Sequence, residues 1–103
     1  MRTMLKVSIP VETENKAIAD GSLPRLLQGL LGDLKPEAAY FLASEGTRTA
    51  LIFFNLADPS QIPAIAEPLF MGLDAEVDFF PVMNAEDLGK GLAAAEQTVK
   101  KYR

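Results

Sequence analysis

The stretch Ala38-Ala39-Tyr40-Phe41-Leu42-Ala43-Ser44-Glu45-Gly46-Thr47-Arg48-Thr49-Ala50-Leu51-Ile52-Phe53-Phe54-Asn55-Leu56 decides the fold. Two runs rich in Phe, Tyr, Ile and Leu, Ala38 to Ser44 and Thr47 to Leu56, flank Glu45-Gly46, which reads as a tight two-residue hairpin turn. A turn of that length sets Ser44 opposite Thr47, so Tyr40 opposes Leu51 and Leu42 opposes Thr49 on one face. Phe41 then opposes Ala50, and Ala39 opposes Ile52, on the other. The second face is wholly apolar and must be buried.

Working outward, residues 3 to 9 alternate, with Thr3, Leu5, Val7 and Ile9 on one face and Met4, Lys6 and Ser8 on the other, the period of a half-buried strand that Pro10 ends. From Thr13 the spacing becomes helical, with Ala17, Ile18, Leu23, Leu26, Leu27, Leu30, Leu31 and Leu34 on one stripe. Gly21-Ser22-Leu23-Pro24 interrupts it, because Pro24 has no N–H to donate and Ser22 can cap a fresh start, so a two-piece helix closed by Lys35-Pro36 is expected. Beyond the hairpin, Asp58-Pro59-Ser60-Gln61 is a helix start. Ile62, Ile65, Leu69 and Phe70 follow at helical spacing, with Pro63 and Pro68 keeping this helix short or bent and Gly72 ending it. Alternation returns over Ala75 to Met83, and Asn84 caps a last helix whose Leu88, Leu92, Ala95 and Val99 form a narrow apolar seam.

The elements run βαββαβ with an extra C-terminal helix, in one domain spanning residues 1–103. This is an α+β layout with a four-stranded antiparallel sheet of order 4-1-3-2 and both crossovers on one face. Pro81 fits the edge position that this order gives the fourth strand. The helix-facing core is then Leu5, Val7 and Ile9; Ala39, Phe41 and Ala43; Ala50, Ile52, Phe54 and Leu56; and Val77 and Phe79. The opposite face carries Met4, Tyr40, Leu42, Leu51, Phe53, Phe80 and Val82, which together approach the roughly 300 to 600 Å² at which an exposed apolar patch signals an interface. A homodimer closed through that sheet face is the simplest cover.

The βαββαβ order, the two-faced sheet and the length resemble the dimeric α/β-barrel superfamily of ferredoxin-like topology. In detail Leu73-Asp74-Ala75-Glu76-Val77-Asp78-Phe79-Phe80-Pro81-Val82-Met83, followed by an acidic helix start, is similar to small bacterial proteins of that superfamily. Relatives include cofactor-independent monooxygenases, lactone isomerases, haem-degrading enzymes, dye-decolorising peroxidases and ligand-binding domains of transcription regulators. The histidine that such relatives commonly use for haem ligation or as a base has no counterpart here, so the resemblance implies neither haem nor a histidine base.

Composition narrows the chemistry. The 103 residues include no His and no Cys. That excludes a Ser-His-Asp triad, a Cys nucleophile, a histidine base, disulfides and His/Cys zinc sites within one chain. The net charge of −4 disfavours nucleic acid and anionic membranes as partners. No apolar run is long enough to span a bilayer and no signal peptide is read, so a cytoplasmic location is expected. No cofactor and no metal site are expected either.

The remaining candidates sit on the outer sheet face. Lys6, on a central strand, is expected beside Asp78 or Glu76 on one side and Phe53 or Asn55 on the other. In an apolar cavity it can orient an anionic or carbonyl substrate or act as a base; the same pair also fits a plain cross-strand ion pair. Glu76 and Asp78 share a face about 7 Å apart, a spacing that suits acid/base carboxylates as well as edge-strand charge. Tyr40 can donate a phenolic proton or simply pack. Gly89-Lys90-Gly91-Leu92-Ala93-Ala94 matches G-x-G-x-x-A but lies inside a capped helix with no following strand or ribose-binding acid, so it is set aside. The expected ligand-binding set is Lys6, Tyr40, Phe53, Asn55, Asp78 and Phe80. The expected function is a homodimer that holds a small apolar or aromatic molecule; the alternative is a cofactor-independent monooxygenase- or isomerase-like enzyme acting through Lys6, Tyr40, Asn55 and Asp78.

Overall fold

The computed structural model describes residues 1–103. Its elements are β1 (Arg2–Ile9), α1 (Val11–Asp20), α2 (Ser22–Leu34), β2 (Ala38–Ser44), β3 (Thr47–Asn55), a 3-10 turn (Pro59–Gln61), α3 (Ile62–Leu73), β4 (Glu76–Pro81) and α4 (Ala85–Lys101). All strand pairs are antiparallel and the order across the sheet is β2-β3-β1-β4, the order expected from the sequence. The result is an α+β molecule whose element order is compatible with a ferredoxin-like arrangement.

The hairpin forms in the expected register, from Ser44 opposite Thr47 to Ala38 opposite Phe53. Glu45 and Gly46 both have positive φ, 52° and 78°, which gives the turn the twist that the flanking strands need. Glycine takes that conformation freely, whereas Glu45 does so at a steric cost of roughly 1 to 2 kcal/mol. The Thr47 hydroxyl donates to the Ser44 carbonyl at 3.0 Å and helps hold the turn.

The first helical segment breaks where the sequence says it should. Gly21, at φ 80°, joins α1 to α2. The cap itself differs from the expectation: the Ser22 side chain caps nothing, and its backbone N–H donates to Asp20 Oδ1 at 2.8 Å. Asp20 is the better acceptor because it is ionised, and hydrogen bonding from Ser22, side chain first and backbone N–H second, holds its carboxyl below the usual aspartate range. Helix α1 also begins earlier than Thr13, at Val11, because Pro10 ends the strand and serves as N-cap in the same step. Helix α3 runs through Gly72 and ends at Leu73, with Asp74 taking the left-handed position, so the Gly72 stop is corrected by one turn residue. The last strand is shorter than the Ala75 to Met83 alternation, spanning Glu76–Pro81.

The core lies between the sheet and α1 to α3. Leu5, Val7, Ile9, Ala50, Ile52, Phe54 and Leu56 from the sheet are buried against Ala17, Leu23, Ile65, Leu69 and Leu73 from the helices. Burying a side chain such as Leu5 or Ile52 is worth roughly 1.5 to 3 kcal/mol, which makes this layer the main source of stability. Two expected core positions are not covered. Phe41 is 58% exposed and Ala43 is exposed, because the helices reach over β1, β3 and β4 but stop short of the edge strand β2.

Helix α4 is the second departure. Every residue from Ala85 to Lys101 is exposed, and a 3.5 Å contact between Arg2 and Asp87 ties its first turn to β1. The molecule is accordingly long, 58 × 28 × 20 Å, with a radius of gyration of 17.1 Å where a compact chain of this length has about 13 Å.

Candidate functional site

The outer sheet face carries the residues that the sequence singles out. Tyr40, Phe53 and Phe80 are on it, with Tyr40 61% and Phe80 43% exposed and Phe53 half-buried. The Tyr40 and Phe53 rings meet edge to face, 6.3 Å between centroids. Lys6 lies directly opposite Asp78 on one side, as expected, and opposite Leu51 on the other, with Phe53 on the diagonal. No ion pair forms between Lys6 and Asp78. Asn55 is not a neighbour of Lys6: it sits at the strand end opposite Arg2, where its Oδ1 accepts from the Met1 amine at 2.6 Å. The fold therefore gathers Lys6, Asp78, Phe53, Tyr40 and Phe80 on one surface and leaves Asn55 at its margin. That surface is open in a single chain.

A cavity of about 320 Å³ lies on the opposite side of the sheet, between α1, α2 and the uncovered inner face of β2. Its walls are mainly apolar, with Leu23 and Leu27 from α2 facing Ile9, Phe41 and Ala50 from the sheet. Glu14 of α1 lines it too. This residue is 6% exposed, and its Oε2 atom is fully buried with no hydrogen-bond partner. Arg48 Nη1 is 3.8 Å from that oxygen, too far for a hydrogen bond, and instead donates to Asn15 Oδ1 at 2.9 Å. Burial pushes the Glu14 carboxyl above the usual glutamate range, with the Arg48 charge offsetting part of the effect. With a guanidinium nearby but no hydrogen bond from it, Glu14 Oε2 on this mainly apolar wall is an acceptor without a donor.

Sequence reasoning did not single out Glu14. The available signal was its position three residues before Ala17 and four before Ile18, which puts a charge on the apolar stripe of α1. Two further cavities are present. One of about 360 Å³ surrounds the Arg2–Glu37 ion pair, 2.8 Å, and includes Asn55; one of about 230 Å³ lies between α2 and α3. The Arg2 guanidinium is held above its ordinary pKa by its hydrogen bond to Glu37, so the first of these is a polar, already satisfied site. No group of three or more acidic side chains is placed to hold a metal ion, and no helix is long and apolar enough to cross a membrane. Comparison with protein-family models, with curated proteins and with solved structures gives no match.

Proposed function

We propose that the chain, as one domain, works as a homodimer that binds a small apolar or aromatic molecule, with two outer sheet faces packed together in a dimeric α/β barrel and α4 of each copy packed against the other copy. The observation that carries this reading is apolar surface that a single chain cannot cover: Tyr40, Leu42 and Phe80 on the sheet, and Leu88, Leu92 and Val99 along α4, all between 43% and 61% exposed. Monomers rarely leave so much contiguous apolar surface to water.

The charge along α4 supports a second copy as the partner. Its first turn is acidic, with Glu86 and Asp87, and its last turn is basic, with Lys100 and Lys101. In a two-fold dimer each patch meets the same patch reversed, so antiparallel α4 helices place acidic ends beside basic ends. Lys6, Tyr40, Phe53, Asp78 and Phe80 then face the dimer interior, with Asn55 at its rim.

Light scattering at micromolar concentration tests the assembly. The expected mass is twice the 11.2 kDa of the chain, and Leu92→Asp should return it to a single chain mass with the sheet still folded. A wild-type protein that remains monomeric at that concentration rejects the reading.

A further inference from the structure

We infer that the small molecule is held in the cleft between α2 and the inner face of β2, and that its class is a neutral phenol or alcohol: the apolar body lies against Phe41, Leu23 and Leu27, and the hydroxyl donates to Glu14. The inference rests on the reading of this chain as a small-molecule binder and assigns the cavity and the ligand class.

The cleft has the size for this role, since about 320 Å³ falls at the lower end of the roughly 300 to 1,000 Å³ of small-molecule sites. It also has the right polarity, a mostly apolar wall with a few polar groups that fix orientation. Glu14 supplies the selective element. A buried polar atom without a hydrogen-bond partner costs roughly 1 to 3 kcal/mol, and the charge of Arg48 at 3.8 Å offsets that cost only in part. An ionised carboxylate can only accept, which means that the missing partner is a donor. The guanidinium of Arg48, 3.8 Å from Glu14 Oε2, repels a cationic ligand, and a second anion beside the carboxylate is disfavoured as well. A neutral donor is what remains compatible with both charges, and a phenol or alcohol hydroxyl is the simplest such group.

Phe41 completes the case. A large aromatic side chain of the helix-facing set, left 58% exposed by helices that stop short of β2, offers a ring face to an aromatic ligand without any rearrangement of the core. The outer sheet face has no comparable feature: Asp78 is exposed, Lys6 is half-buried, and the buried Thr49 hydroxyl already bonds that of Ser8 at 3.2 Å.

The test is an NMR titration of the full chain with p-cresol and, separately, with toluene, which has the same ring but no hydroxyl. The expected result is intermolecular contacts from p-cresol to Phe41 and the Leu23 and Leu27 methyls, with affinity at least tenfold above that of toluene. Glu14→Leu should bring the two affinities to within about twofold, and Phe41→Ala, at a side chain that the core does not need, should weaken both ligands. Equal affinities for the two ligands in the wild-type chain overturn the role of Glu14. Because that comparison uses no variant, it decides the matter even if Glu14→Leu fails to fold. Contacts at Phe53 and Phe80 instead of Phe41 overturn the cleft and leave the binder reading standing. No binding of either ligand at millimolar concentration sinks both.

Discussion

Helices α3 and α4 are stabilised in opposite ways. Helix α3 has poor local support: Pro68 lies inside it, and an interior proline removes a backbone hydrogen bond at a cost of about 3 kcal/mol, whereas Pro63 sits in the first turn where no N–H is needed. It persists because Ile65, Ala66, Leu69 and Leu73 are buried against the sheet and the other helices. Helix α4 has the local support that α3 lacks. Asn84 and Asp87 form a reciprocal cap at 2.8 and 3.1 Å, and Glu86–Lys90 and Glu96–Lys100 pair at 3.4 Å in the favourable order, acid before base. None of its residues is buried. One helix is held by its surroundings, the other by its own sequence, and the apolar seam of the second is unemployed within the chain.

The sharpest way to break this contrast is to remove the same side chain from both. Leu69→Ala, at a site 1% exposed, should cost about 3 kcal/mol in urea-induced unfolding. Leu92→Ala, at a site 60% exposed, should cost less than about 0.5 kcal/mol at protein concentrations low enough for single chains. Equal costs would show that α4 packs on its own chain.

A smaller effect tests the local support of α4. Asn84→Ala removes the side chain that accepts from the Asp87 N–H and should cost about 1 kcal/mol, seen as lost helical ellipticity while the sheet amides keep their chemical shifts. A change spread over the whole molecule would mean that α4 is coupled to the core.

The smallest effect separates the two caps by pH. The turn before α3 is capped by Asp58, whose Oδ1 accepts from the Ser60 N–H at 2.8 Å, and hydrogen bonding from Ser60, side chain first and backbone N–H second, holds the carboxyl below its ordinary value of 3.8. Because the folded value is depressed, the stabilisation is complete above the ordinary value and is lost as pH falls through the depressed one. The Ser60 amide resonance should therefore titrate with a midpoint below 3.8, and a midpoint at or above it rejects the cap. Asn84, in the matching position before α4, has no proton to gain.

How far the sequence carried the fold depended on whether the signal was local. The β2–β3 register, the break at Gly21 and the Asn84 cap follow from turn chemistry and periodicity within a few residues, and the structure has them. The exposure of Phe41 was not legible, since its alternation with Tyr40 and Leu42 is that of a core strand; only the lateral reach of α2 decides what covers it. The same is true of Glu14, whose neighbours in sequence, Thr13 and Asn15, suggest an ordinary solvated turn. Its burial depends on where α1 lies over the sheet, beside Arg48 of β3. For the outer-face residues, strand alternation was enough to put Lys6 opposite Asp78, but Asn55 fell out of reach because the register of β1 on β3 pairs it with Arg2.

The position of β2 at the rim of the sheet has a consequence for how the protein behaves when concentrated or heated. The two rims are unequally guarded. β4 presents Glu76, Asp78 and Pro81, residues that repel or block an incoming strand, whereas β2 offers Ala38 to Ser44 with neither a charge nor a proline among them. A free row of backbone donors and acceptors beside Tyr40, Phe41 and Leu42 is a template for another extended chain. Misassembly of this protein should therefore begin along β2, and a ligand or partner that shields this rim would slow it before changing any equilibrium.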